Sequence, residues 1–210
     1  MASQLSIYKS AALLIKESPI GLALTDDTVL VNTFDEVWAD VIELVLEAGK
    51  WNCAARSLTI QSDTDSEPAF GYNFAFTKPD DYANLIAISA NATFYPPFGP
   101  NQYRDEGEFW FADCDPLYVS IVSSGASYGG DLSKWSTHMA RYAEHELASR
   151  AAPFVASIGE QALSYLEQRK TLALRKALSW DASKQPADPL PPSRLSSARL
   201  GNRTNTWRIN

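Results

Sequence analysis

The chain has 210 residues, of which 45% are hydrophobic, 20% charged and 11% aromatic, and a formal net charge of −7. This length suits one domain of ordinary size, or one core carrying a smaller insertion, and lets the fold bury roughly 70% of the unfolded surface. Such a composition excludes wholesale disorder, and six Trp, nine Tyr and nine Phe supply large anchors for packing or interfaces.

The N-terminal run MASQLSIYKSAALLIKESPIG is interrupted by Lys9, Lys16 and Glu17. No window in it approaches the roughly 18 uncharged apolar residues that a membrane span needs, so it reads as an amphipathic helix and not as an anchor or a secretory signal. The clearest helical pattern follows. Phe34, Val37, Trp38, Val41, Leu44, Val45 and Ala48 recur at spacings of three and four, while Asp35, Glu36, Asp40, Glu43 and Glu47 fill the opposite arc. Asp26, Asp27 and Thr28 offer N-cap chemistry and Gly49 a stop, which predicts a helix over about 27–49. Cys53, just beyond it, and Cys114 have neither metal spacing nor a CxxC arrangement; they read as two reduced, packed thiols of a cytosolic setting.

From Arg56 to Ser124 the period shortens. RSLTIQ, GYNFAFT, LIAISAN, GEFWFAD and LYVSIVSS are aromatic or β-branched, separated by Pro, Gly, Asn and Asp, and predict four or five antiparallel strands. YPPFGPNQYRDEG reads as an irregular connection, because three prolines within six residues prevent both a helix and a central strand. SSGASYGGD then reads as a hinge before the helical period returns. Asp131 or Ser133 caps a helix with a stripe of Trp135, Met139, Tyr142, Ala143 and Leu147. A second helix is predicted from near Pro153 through Leu163, Leu166, Leu174 and Leu178 to about Trp180, where KQPADPLPPS stops it. Nothing repeats at a fixed period.

Each helical stripe needs an apolar partner, and short isolated helices are marginal in water. The order of parts therefore predicts an α+β fold: a four-helix bundle with an inserted small antiparallel β domain and an extended C-terminal tail. Residues 1–54 form the first helical pair, 55–126 the β insertion, 127–184 the second pair and 185–210 the tail. Residues 184–210 carry five cations against one acid, whereas residues 1–183 carry thirteen cations against twenty-four acids. An acidic body repels a phosphate backbone unless its charges are segregated, while a basic tail rich in Pro, Ser and Asn orders itself on an acidic partner surface.

A search for catalytic groups yields little. His138 and His145 lie seven residues apart, on roughly one helix face but too far apart in sequence for one ion without further ligands. Asp113 and Asp115 flank Cys114, and Asp80 adjoins Asp81; a paired-carboxylate hydrolase needs such acids face to face, whereas acids at turns cap backbone NH groups. Acidic neighbours raise rather than lower a thiol pKa, so neither cysteine reads as an activated nucleophile. The glycine-rich break has no GK[ST] and is not a P-loop. Tyr72, Phe74 and Phe76 share one strand face, where they serve either a β-domain core or interface or, as in single-strand binders, a stacking platform for bases. A platform needs interleaved cations, and the nearest are Arg56 and Lys78.

The segment KWNCAARSLTI, with EPAFGYNFAFTKPDDY after it, resembles the signature of the tail tubular protein A family, the head-to-tail adaptors of short-tailed bacteriophages. The matching positions are Trp51, Asn52, Cys53 and Ala54, then Gly71, Tyr72, Pro79 and Asp80. The resemblance continues through Trp135 and the helix after it, ALRKALSWDASKQP, and SARLGN with Ser197, Ala198 and Arg199; Cys53, Lys78 and Asn84 depart from the family pattern.

This resemblance implies a structural virion protein: a homo-oligomeric ring, of dodecameric type, between the portal protein and the tail nozzle protein, with tail fibres as further candidate neighbours. Double-stranded DNA passes through the lumen without sequence-specific binding, during genome retention and ejection. The implied location is the virion, at the head-to-tail interface of the tail, after assembly in the host cytoplasm. No membrane, cofactor, metal or catalytic residue is implied. On this reading Arg194, Arg199, Arg203, Trp207 and Arg208 grip the portal, since Arg and Trp are frequent interface anchors. Asp35, Glu36, Asp40 and Glu43 line the DNA channel, where like charge lets DNA slide. The alternatives from other classes are a small hydrolase using carboxylate or histidine groups and a single-stranded nucleic-acid module on the aromatic strand.

Overall fold

The computed structural model describes residues 2–16, 21–64, 66, 68, 70–94, 98–99, 101–155 and 159–184. Among these residues are four α-helices and six strands, the strands lying between the second helix and the third. The fold is α+β.

Helix α1, Gln4–Leu14, opens on a reciprocal cap: Ser6 N donates to Ser3 Oγ at 3.2 Å and Ser3 N donates to Ser6 Oγ at 2.9 Å. Helix α2, Val29–Glu47, is capped by Thr28, whose Oγ1 accepts from Val31 N at 3.3 Å. Asp26 and Asp27 do other work, accepting from Ala23 N and Asn32 Nδ2. Val31, Phe34, Val41 and Val45 are buried at the predicted spacing, and the acids of the opposite arc are exposed.

The strands are β1, Ala55–Ile60; β2, Phe74–Thr77; β3, Tyr82–Ser89; β4, Tyr103–Glu106; β5, Phe109–Ala112; and β6, Leu117–Ser123. They form two antiparallel three-stranded sheets, ordered β1-β6-β3 and β2-β5-β4. Strand β4 corrects one expectation, because it lies within the stretch read as an irregular connection. Its prolines end before it, and it is a sheet edge whose last three residues are exposed. A strand so placed shows no apolar alternation.

Strand β6 explains the layering. Leu117, Val119 and Ile121 share one face and join Phe76, Trp110 and Ala112 of the second sheet in one buried cluster. Val122, of opposite parity, belongs to a separate cluster formed with the helices, which Ala83 and Ile86 of β3 also touch. The first sheet is thus a middle layer, with helices on one face and the second sheet on the other.

Helix α3, Thr137–Val155, packs against α1, α2 and α4, Glu160–Ala182. Trp135, Met139, Tyr142, Ala143 and Leu147 are buried, as their spacing predicts. Asp131 caps the short 3-10 turn Leu132–Lys134 before α3, and Ser136 Oγ accepts from Met139 N at 3.1 Å at the start of α3. Pro153 lies in the last turn of α3 and does not open the next helix, a second correction: its nitrogen has no hydrogen to give the carbonyl four residues back, α3 ends two residues beyond it, and α4 starts only at Glu160.

The break read as a hinge is a closed turn. Gly129 N donates to the Ser123 carbonyl at 2.9 Å, and Trp135 Nε1 donates to the Gly129 carbonyl at 2.8 Å. A Cβ on Gly129 would lie 2.5 Å from the Ser123 carbonyl oxygen, so glycine is required there by close approach and not by freedom of movement.

Candidate functional site

The most constrained polar arrangement joins the end of α2 to the end of α4. Gly49 ends the helix segment, and a Cβ there would lie 2.5 Å from Leu178 Cδ2 and 3.0 Å from the Trp51 ring, so the missing side chain makes room for α4. Trp51 is fully buried and its Nε1 donates to the Val45 carbonyl at 2.6 Å. Asn52 then reaches across. Its backbone N donates to Asp181 Oδ2 at 3.0 Å, and its Nδ2 donates to Asp181 Oδ2 at 2.9 Å and to the Asp181 carbonyl at 3.0 Å. Asp181 is buried, so these bonds replace the water its carboxylate has given up. Cys53, beside them, packs its sulfur 3.5 Å from that of Met139; burial, then the charge of Asp181, pushes its thiol pKa up. It is a packing residue and not a poised nucleophile.

The lock holds α4 three residues before the described chain ends at Lys184. The expected portal-gripping residues Arg194, Arg199, Arg203, Trp207 and Arg208 lie outside the described residues. Within α4, Tyr165, Arg169, Leu172, Lys176 and Trp180 are exposed and follow helical spacing along one side. The apolar period of this segment picks out only its leucines. Leu166 is buried and Leu163 and Leu174 pack partly on the core, but Leu178 is exposed. The second stripe was present in the spacing and was masked by its mixture of cations and aromatics.

Asp35, Glu36, Asp40 and Glu43 are all exposed on α2 but occupy two sides of it. Asp35 faces α1, where Tyr8 Oη donates to its Oδ1 at 2.7 Å; burial and then this bond push the Tyr8 phenol pKa well up. Glu36, Asp40 and Glu43 continue to Glu47 in one stripe at spacings of four, three and four. Among the described residues Asp40 alone of these forms an ion pair, with Arg150 at 3.7 Å.

Phe76 is fully buried between the sheets, Phe74 packs against the same cluster, and Tyr72 precedes β2, with its hydroxyl donating to the Asn101 carbonyl at 3.4 Å. The three rings therefore do not stand as an open row. The cations beside them are also engaged: Arg56 pairs with Asp81 at 2.6 Å, and Lys78 pairs with Asp105 at 2.6 Å while lying over the rings of Tyr82 and Trp110. The outward ring pair is Phe109 and Phe111, stacked with centroids 6.2 Å apart.

The acids of the β segment do structural work. Asp113 accepts from Asn73 N and Nδ2 at 3.0 Å, and Asp115 from Ser62 N at 3.2 Å and Ser62 Oγ at 2.8 Å. Burial, then the charge of Asp115, raises the Cys114 thiol pKa between them. Asp81 bonds Ser123 and Arg56 across the middle sheet. No group of three or more metal-ligating side chains occurs among the described residues, and no described helix is long and apolar enough to cross a membrane. No known family model matches the chain, and no curated protein sequence matches it.

Proposed function

We propose that the chain is a head-to-tail adaptor of a short-tailed bacteriophage, a structural virion protein whose copies form a ring between portal and tail nozzle. On this reading the helices are a four-helix bundle that supplies contacts between neighbours, with the β layers as an insertion, and the tail beyond residue 184 is the clasp on an acidic portal surface. No catalytic step is assigned to any residue.

The observation that carries the reading is the lock of Asn52 on Asp181, next to the buried Trp51. Trp51 and Asn52 are the motif residues on which the family resemblance begins, and Asp181 belongs to a later segment of the same resemblance. Residues 129 positions apart in sequence thus meet in one joint, and that joint anchors the C-terminal end of α4. A clasp needs such a fixed root, because a tail that swings freely loses effective concentration at its dock. The stripe Glu36, Asp40, Glu43 and Glu47 adds support of a second kind: an exposed acidic ridge suits a lumen through which DNA slides without being held.

Deletion of residues 186–210 is expected to leave the folded body intact, with unchanged thermal unfolding, while abolishing its co-elution with the portal protein. Retained portal binding by the truncated chain overturns the clasp. A ring in which Glu36, Asp40 and Glu43 face outward removes the channel assignment.

A further inference from the structure

Although the chain is acidic overall, one cleft gathers cations. It lies where α1, α3 and α4 meet and has a volume of about 350 Å³. Ser10, Leu13 and Leu14 come from α1, His138, Arg141, Glu144 and His145 from α3, and Arg169, Leu172, Ala173 and Lys176 from α4. The helical spacing explains the convergence. His138, Arg141 and His145 are three and four residues apart on α3, and Arg169 and Lys176 are seven apart on α4, so each helix turns one cationic edge toward the other.

Two features separate this cleft from an ordinary solvated groove. Among the described residues, Arg141, Arg169 and Lys176 form no ion pair. Arg169 uses its Nε on the Tyr165 hydroxyl at 2.7 Å, which leaves its terminal nitrogens without an acid. The one acid in the cleft is Glu144, and its carboxyl is bonded by Ser10. The second feature is His145 Nδ1, a buried polar atom with no hydrogen-bond partner. His145 lines the cleft, and buried polar atoms in folded proteins are almost always satisfied, so its imidazole keeps hydrogen-bonding capacity that the protein does not use.

We propose that this cleft binds a phosphate monoester, its dianionic head held by Arg141, Arg169 and Lys176 with His145 as a further donor, and its ester group resting on Leu13, Leu14 and Leu172. Three fixed cations against one carboxylate leave two positive charges, the charge that a phosphate dianion neutralises. Guanidinium forks match the spacing of its oxygens. The volume lies at the small end of ligand pockets, which suits a small molecule. A nucleic-acid strand is disfavoured by the surrounding acidic body.

Binding carries a proton signature. In the free cleft, burial and then Arg169 and Arg141 lower the His145 pKa, while burial raises that of Glu144. The groups facing His145 are Ser10 from α1, His138, Arg141 and Glu144 from α3, and Arg169 and Lys176 from α4. A bound dianion reverses the dominance of positive charge, so His145 takes up a proton and its pKa rises.

The test is titration of phenyl phosphate into the full-length chain while following the imidazole resonances of both histidines by NMR, assigned with His138→Gln and His145→Gln. A saturable His145 shift, a raised His145 pKa in the complex and weaker binding of inorganic phosphate are expected. Arg169→Gln and Lys176→Gln, both at exposed positions, each weaken binding about tenfold. An unmoved His145 at about 10 mM phenyl phosphate overturns the proposal. So does equal binding by the Arg169→Gln, Lys176→Gln double variant, or equal binding of phenol or benzoate by the parent chain. The cleft shares no residue with the α2–α4 lock or the tail, so its failure leaves the adaptor reading standing.

Discussion

The helical layer and the outer sheet both bury apolar side chains, yet the seam along α3 and the seam between the sheets use different materials. Along α3, and on the sides of α1 and α4 that meet it, alanine is the commonest buried residue: Ala11 and Ala12 of α1, Ala143, Ala148, Ala151 and Ala152 of α3, and Ala177 of α4 are each fully buried, although the same layer also buries Tyr8, Phe34 and Trp51. Small side chains let helix axes approach closely, so the stabilisation is spread over many modest contacts. Between the sheets the burden falls on a few large groups, chiefly Phe76 and Trp110, with Trp110 also donating from Nε1 to Asp105 Oδ2 at 3.0 Å. The difference teaches that the two seams fail in opposite ways: the one between the sheets through loss of volume, the alanine-lined one along α3 through its addition.

Trp110→Ala tests the first half and carries the largest expected effect. It removes a fully buried indole, the ring beneath Lys78 and the donor to Asp105, and the lost transfer energy plus the cavity should cost about 3–5 kcal/mol. Denaturant unfolding followed by far-UV circular dichroism measures it. A loss below about 1 kcal/mol would show that the outer sheet contributes little to the cooperative unit.

Ala143→Leu tests the second half. Ala143 is fully buried in the middle of α3, at the contacts of α3 with its neighbouring helices. Leucine is as good a helix former as the site needs, so propensity does not oppose the change and overpacking alone decides it, at about 1–3 kcal/mol. A neutral or stabilised variant, read from the same unfolding curves, would mean that the helices have slack.

The contrast also explains how much the sequence disclosed. Helix α2 was legible because its buried residues, Phe34, Val41 and Val45, are large and its exposed ones are acids, so period and burial coincide. Helix α4 was read from leucines, but its buried positions are Leu166, Ala177 and Asp181. Alanine and a locked aspartate do not register as an apolar stripe. Strand β4 was invisible because an exposed edge needs no alternation, and its Arg104, Asp105 and Glu106 read as a loop. The candidate sites divide in the same way. Trp51 and Asn52 stood out as a motif, whereas their partner Asp181 is distant in sequence and emerges only from packing. His138 and His145 were correctly placed on one side of a helix, but the cations that give their cleft its character come partly from α4.

The smallest expected effect concerns the middle sheet, which both layers share. Asp81 sits there under opposed influences: burial raises its pKa, while bonds from Ser123 and Arg56, together with the charge of Arg56, outweigh this and hold it below the usual carboxylate range. Its folded pKa is depressed, so its contribution is complete above the unfolded value of about 3.9 and fades as pH falls through the folded one. Asp81→Asn should therefore cost on the order of 1 kcal/mol near neutral pH, and the gap from the parent chain should shrink on acidification below about pH 4. Unfolding curves of both proteins across that range measure the convergence. Glu167 also has a depressed pKa, chiefly through the bond from Lys170 and then that from Ser149, so the parent chain alone would lose stability in acid for two reasons. Only the difference between the two proteins isolates Asp81. If that difference stays constant with pH, the carboxylate serves the sheet as a hydrogen-bond acceptor of fixed geometry, and its charge contributes nothing to joining the layers.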